Sequence, residues 1–294
     1  MIPAYAPRLC GTVAQATRTS PDAGRAMRHA IIADVHGNLP ALEAVLADIE
    51  RRGVDRISCL GDLVGYNTFP HETLALLRRL PIACVQGNHD LMALGQLEPV
   101  ACGPDARAAI AWTRTVLTED ERAYLHALPG HIRSDPTTIL VHSCLGDPVS
   151  RLERPDDFLA QRETLRRFDS GLRRCFTGHT HVAQVTEIDS SARVVMHREG
   201  QVRLNPASFS FLNPGSVGHP RESDYRASYA IHDTETDTVF LRRVAYDRAA
   251  MRAENARHGI FTDLGPSVAA FRVRHLLGAL RGTATRAAGL QRGG

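Results

Sequence analysis

Five short segments of this 294-residue chain carry side chains suited to holding divalent cations: Asp34-x-His36, Gly61-Asp62, Gly87-Asn88-His89-Asp90, Val141-His142 and Gly178-His179-Thr180-His181. Hard and borderline cations take such carboxylate, amide and imidazole ligands. Two cations about 3.5–4 Å apart, sharing one carboxylate, form a clamp for in-line displacement at phosphorus. Taken singly, each segment is weak. A lone D-x-H or G-D is an ordinary turn, and N-H-D serves equally well as a helix cap. Their recurrence, each time after an apolar run, carries the reading. The glycines before Asp62, Asn88 and His179 permit tight turns that aim the next side chain inward.

An alternation of strands and helices would position these segments. A strand over 29–34 leads into a helix beginning near Pro40, with Leu42, Val45, Leu46 and Ile49 at helical spacing. A second strand (56–60), a second helix (about 71–79) and a third strand (82–86) follow. Asp34 and Asp62 are 28 residues apart, and Asp62 and Asn88 are 26 apart. Each interval is about one crossover, which places successive parallel strand ends on one edge, and open α/β sheets bind ligands there. Strand alternation predicts that Asp34 and His36 face the same way.

Residues 91–130 read as a helical insert on that side, a wall or lid, with Thr118 and Glu121 spaced as a capping box. From 137 to 247 the chain reads mainly as short strands, including 137–143 and 173–181. Residues 1–26 read as disordered, or as an extension before a natural start at Met27, and 248–294 as a helical, basic tail. Arg272, Arg274, Arg281 and Arg286 scatter around that tail, so it does not read as a membrane-surface helix.

Composition excludes several classes. The chain is 43% hydrophobic and 23% charged, without a run of eighteen apolar residues that could span a bilayer. No apolar signal region opens it. Cysteines 10, 59, 84, 102, 144 and 175 form no compact framework. Together these features point to a reduced, cytoplasmic protein. All 35 basic residues are Arg. The four in residues 1–28 and five in 264–294 leave 29–263 with a net charge of −5, so no nucleic-acid-binding face is indicated. Oligomeric state is not legible.

The ordered motifs resemble the calcineurin-like metallophosphoesterase superfamily over about residues 28–246. That resemblance implies an α/β (α+β) fold of two packed mixed β-sheets flanked by helices, in four αββα layers, with a small helical insert. It implies two divalent metal ions, Mn, Fe or Zn. Asp34, His36, Asp62 and His181 would hold one, and Asn88, His142 and His179 the other, with Asp62 bridging. His89 would act at the leaving-group oxygen, while a metal-bridging hydroxide attacks phosphorus.

Within the superfamily, protein phosphatases and dinucleoside polyphosphatases extend the second motif as G-D-x-V-D-R-G. Here the run is GDLVGYN, with Gly65 and Tyr66 at the Asp-Arg places. The acid that would orient His89 is missing there, leaving Asp90 as the substitute, and one phosphate-clamping Arg is missing too. The run NPGSVGHPRE (213–222) resembles small bacterial and archaeal phosphodiesterases. Asn213 and Ser216 are therefore candidate substrate contacts, against the alternative of a plain turn. Ser143 stands where relatives carry Gly. The expected activity is hydrolysis of a small-molecule or nucleotide phosphodiester. The alternatives are a phosphomonoesterase or protein phosphatase, and a non-catalytic scaffold like the retromer subunit of this superfamily. Scaffolds lose ligands, whereas all seven positions and His89 are present here.

Overall fold

A computed structural model describes residues 26–100 and 102–260. The expectations for residues 1–25 and 261–294, including the scattered arginines of the tail, lie outside the described residues. The first half alternates as its spacing predicts: β1 (Arg28–Ile32), α1 (Leu39–Arg51), β2 (Arg56–Cys59), α2 (Pro70–Arg79) and β3 (Ile82–Cys84). These three strands are mutually parallel, in the order β3-β2-β1. Helix α1 starts where Asn38 accepts the Ala41 N–H (3.2 Å), with Pro40 in its first turn. It buries Leu42, Val45 and Ile49 against the sheet.

The insert comprises α3 (Asn88–Ala93), α4 (Pro104–Val116) and α5 (Glu119–Ala127). The Thr118–Glu121 capping box forms as its spacing predicts. Arg114 ties α4 to the end of α3 by donating to the Met92 carbonyl (2.7 Å), and Gln86 donates to the Leu125 carbonyl of α5 (2.8 Å). The third chemical segment does not merely follow a strand: Asn88 opens α3.

The remaining elements are β4 (His131–Asp135), β5 (Thr138–Val141), α6 (Pro155–Phe168), β6 (Arg174–Phe176), β7 (Ala183–Ile188), β8 (Val194–His197), β9 (Gln201–Arg203), β10 (Phe209–Pro214), β11 (Ala227–Asp233), β12 (Thr238–Val244) and α7 (Arg248–Arg257). They divide between two six-stranded sheets, β3-β2-β1-β11-β12-β9 and β4-β5-β6-β10-β7-β8. Strands β9, β11 and β12 thus return to the first sheet, with β11 antiparallel to β1. Helix α6 falls in a stretch where the sequence pattern suggests no element.

Both faces of the central strands are buried, which produces four layers. Ala30 and Ile32 pack under α1 and α2, while Ile31 faces the second sheet with Leu140, Phe176 and Val185. On the far side, Ile139 and Val141 pack with Phe158 and Leu165 of α6. Strands buried on both faces read as unbroken apolar runs rather than alternating ones.

His29 interrupts the apolar run of β1. It is buried and contacts Ser58 Oγ through Nε2 (2.9 Å). Burial first, then the charges of Arg56 and His232, push its pKa well below the usual imidazole value. As pH falls below about 6.5 the unfolded chain takes up a proton that native His29 refuses, so stability drops with pH. His29→Gln is expected to remove up to one proton's worth of slope, about 1.4 kcal/mol per pH unit between pH 6 and 5. Urea unfolding at pH 7, 6 and 5 measures this, and identical slopes in both proteins would contradict it.

Candidate metal centre

The chemical segments converge at the carboxyl rim of the two sheets. Beyond β1 and β2 the ladder continues through Asp34 N–H to the Gly61 carbonyl (3.0 Å), His36 N–H to Asp62 (2.8 Å) and Gly37 N–H to Leu63 (2.9 Å). In the second sheet, Gly178 N–H donates to the His142 carbonyl (2.7 Å). Asp34, His36, Asp62, His179 and His181 all have left-handed backbones, with φ of 54°, 52°, 54°, 66° and 61°. Such conformations cost an L-residue on the order of 1–3 kcal/mol and cluster at functional sites. Asp34 and His36 do converge, but through these left-handed turns after β1 has ended rather than through strand alternation.

Two sets of donor atoms result. Asp34, His36, Asp62 and His181 form one, and Asp62, His142 and His179 the other, with the donor atoms of each set within 4.8 Å of one another. Asn88 joins the second set: its Oδ1 lies 2.8 Å from His142 Nε2 and 2.9 Å from His179 Nδ1. Asp62 Oδ2 lies between the sets, 3.6 Å from His36 Nε2 and 3.5 Å from His142 Nε2. The approach is tight. A Cβ on Gly87 would stand 2.1 Å from Asp62 Oδ1.

Hydrogen bonding fixes which imidazole nitrogens are free. A carbonyl can only accept, so each nitrogen facing one carries the proton. His36 Nδ1 faces Val64 (3.2 Å), His142 Nδ1 faces Leu60 (2.7 Å), His179 Nε2 faces Val149 (3.1 Å) and His181 Nδ1 faces His219 (2.6 Å). The opposite nitrogens therefore present bare lone pairs to the shared space, and those of His36 and His181 are 3.1 Å apart. Metal-ligating histidines are held by this type of backbone contact. Burial foremost lowers all four imidazole pKa values, keeping the rings neutral. Asp62 Oδ2 is buried without a hydrogen-bond partner. Burial raises the pKa of Asp62, and burial followed by the Asp62 charge raises that of Asp34. Lone pairs facing lone pairs beside destabilised carboxylates fit divalent cations.

His89 lies against this cluster, its ring 4.6 Å from His36 and 4.8 Å from Tyr66. Its backbone N–H donates to Asp62 Oδ1 (2.8 Å), and its Nδ1 is buried without a partner. A Cβ on Gly65 would lie 2.5 Å from that Nδ1, so His89 occupies the space that a larger residue at 65 would need. Asp90 does not orient His89. Its carboxylate instead accepts the N–H groups of Asp62 (3.0 Å), Leu63 (2.8 Å), Val64 (3.3 Å) and Gly87 (2.9 Å).

Asn213 and Ser216 are buried and engaged with the protein. Asn213 Nδ2 donates to the Gly178 carbonyl (2.7 Å) and Thr180 Oγ1 (3.0 Å), and Ser216 Oγ donates to the Asp34 carbonyl (2.8 Å). Both side chains brace the loops that carry the donors. Ser143 Oγ donates to the Ser150 carbonyl, closing the loop after His142, whose ring contacts Leu60 and Asn88. Three residues at the rim escape sequence reasoning. Tyr66 stacks on His219 (4.0 Å, 4° between planes), and Arg221 Nη2 donates to Tyr66 Oη (3.1 Å). Their signal was present in GDLVGYN and NPGSVGHPRE, but nothing in either run says that they meet.

A two-sheet sandwich carrying Asp, Asn and His at its carboxyl rim is the architecture of a metal-dependent phosphoesterase. The chain belongs to the calcineurin-like phosphoesterase superfamily, whose domain profile matches residues 27–237. An uncharacterized protein of Methanocaldococcus jannaschii is 34% identical over 220 residues, covering 74% of this chain and 87% of that protein. The crystal structure of a metallophosphoesterase from Sphaerobacter thermophilus superposes with a TM-score of 0.69 at 36% identity, covering 83% of this chain and 97% of the other. A hypothetical protein from Pyrococcus horikoshii shares the fold at 17% identity, with a TM-score of 0.63 over 82% of this chain and 95% of its own. No helix among the described residues is long and apolar enough to cross a membrane.

Proposed function

We propose that the protein is a dimetal phosphodiesterase acting on a small-molecule or nucleotide phosphodiester in the cytoplasm. The observation that carries this reading is the buried, unpartnered Asp62 Oδ2 standing between two donor sets. Asp34, His36, Asp62 and His181 would hold one divalent ion, and Asp62, Asn88, His142 and His179 the second. Manganese, iron and zinc all suit this mixture of oxygen and imidazole ligands. Bound there, such ions supply Lewis acidity and lower the pKa of a water to near neutrality.

The chain's own groups do the rest. Backbone contacts to the four imidazoles fix the ligands before substrate arrives. Burial above all holds the pKa of His89 well below the usual imidazole value. His89 is therefore neutral at pH 7 and serves the leaving-group oxygen as a hydrogen-bond donor. Gly65 and Tyr66 stand where the resemblance would place the Asp and Arg of a protein phosphatase, which weighs against a phosphoprotein substrate.

Metal-stripped protein given back Mn²⁺ is expected to hydrolyse bis-p-nitrophenyl phosphate faster than p-nitrophenyl phosphate. Asn88→Ala and His89→Ala should each lower kcat by roughly 10²-fold or more. Faster monoester cleavage would assign a phosphatase. Folded protein that turns over neither ester with any divalent metal would point to a scaffold.

A further inference from the structure

The rim holds a cation that the metal ligands do not account for. Arg221 is half-buried, and its backbone N–H donates to the His181 carbonyl (3.4 Å), which ties it to the donor cluster. Its guanidinium donates to Tyr66 Oη and pairs with no carboxylate among the described residues. Nearby arginines behave differently: Arg243 takes Glu222 (2.7 Å) and Arg226 takes Asp224 (2.6 Å). A partly buried guanidinium without an acid, over a phosphoesterase centre, lacks an anion.

Its mounting is rigid. Tyr66 lies flat on His219, meets the His36 ring edge-on at 4.7 Å, and has only 8% of its surface exposed. The His219 carbonyl in turn accepts His181 Nδ1. One chain of contacts thus runs from the donor cluster through His219 and Tyr66 to Arg221.

We propose that Arg221 is the phosphate-binding residue of this site, its guanidinium clamping a non-bridging oxygen of the substrate phosphate, with Tyr66 as its positioning residue. This rests on the phosphoesterase reading above. Guanidinium–phosphate pairs are charge-assisted and often two-pronged, geometry an ammonium cannot copy.

The test uses full-length, Mn²⁺-reconstituted protein with Arg221→Ala, Arg221→Lys and Tyr66→Phe. Inorganic phosphate binding is read by calorimetry, metal content by mass spectrometry, and hydrolysis of bis-p-nitrophenyl phosphate by steady-state kinetics. Arg221→Ala should keep wild-type metal content yet bind phosphate about 10- to 100-fold more weakly, with kcat/KM falling in parallel. Free guanidinium at non-denaturing concentration should restore part of both. Arg221→Lys should recover only part, and Tyr66→Phe should show a smaller loss in the same two quantities. Wild-type phosphate affinity in Arg221→Ala overturns the proposal while leaving the phosphoesterase reading intact. So does a loss explained by missing metal and cured by excess Mn²⁺. Wild-type protein that neither turns over nor binds phosphate overturns both.

Discussion

Asp62→Asn is expected to cut metal-dependent hydrolysis severely and, in the same protein, to make the metal-free state harder to unfold. Asp62 Oδ2 is buried, receives no hydrogen bond, and shares its surroundings with Asp34 and Asp90. Burial pushes its pKa well above the carboxylate range, against the pull of the His89 N–H and the Arg221 charge. The sign follows from linkage. A carboxyl whose folded pKa exceeds its unfolded value of about 4 binds a proton more tightly when folded, so stability falls as pH rises above 4. At pH 7, below its folded pKa of about 8, metal-free protein already carries most of that penalty, and the uncharged amide removes it.

With metal the order reverses. Wild type gains about 2.7 kcal/mol when free ion stands at a hundred times its dissociation constant, whereas the variant's amide offers neither ion a shared carboxylate. The activity lost should reach roughly a thousandfold, or about 4 kcal/mol of transition-state stabilisation. Thermal melts of both proteins at pH 7, with EDTA and with Mn²⁺, should therefore cross. If the variant melts below wild type in EDTA, Asp62 is not the strained carboxylate described here.

The parts of this site legible in the sequence are those that topology delivers. Parallel strands with crossovers of 28 and 26 residues put Asp34, Asp62 and Asn88 on one rim whatever the rest of the chain does. The backbone that makes Asp34 and His36 converge was not legible, because Asp and His, though enriched in left-handed conformations, adopt ordinary ones far more often. Sheet membership was hidden for a related reason. Strands such as β5 and β11 are buried on both faces, so their apolar runs do not say which sheet receives them. Helix α6 buries only Phe158, Gln161 and Leu165 among fourteen residues, too thin a stripe to stand out from its charges. Tyr66 meets Arg221 across 155 residues of chain, a contact only the folded sheets create.

Asp90→Asn should not share the metal-free gain of Asp62→Asn, because the two carboxylates do different work. Asp90 uses both oxygens: Oδ1 accepts from Leu63 and Val64, and Oδ2 from Asp62 and Gly87. These four N–H groups lie in the two loops that present Asp62 and Asn88. A side-chain amide offers one acceptor oxygen, so its NH₂ must face two of those donors. Two unsatisfied N–H groups cost about 2–6 kcal/mol together, a large share of the 5–15 kcal/mol that holds a typical domain folded. In metal-free protein, loss of a negative charge beside Asp62 offsets part of this. Bound cations cancel that repulsion, so in the loaded protein the full penalty remains. The expected result is a lower urea midpoint in Mn²⁺ and metal affinity weakened roughly 10- to 100-fold, the range seen when groups supporting metal ligands are removed. An unchanged midpoint with unchanged affinity would mean that the two loops hold their shape without Asp90. The placement of Asp62 would then depend on its left-handed backbone and on the Asp34, His36 and Gly37 ladder alone.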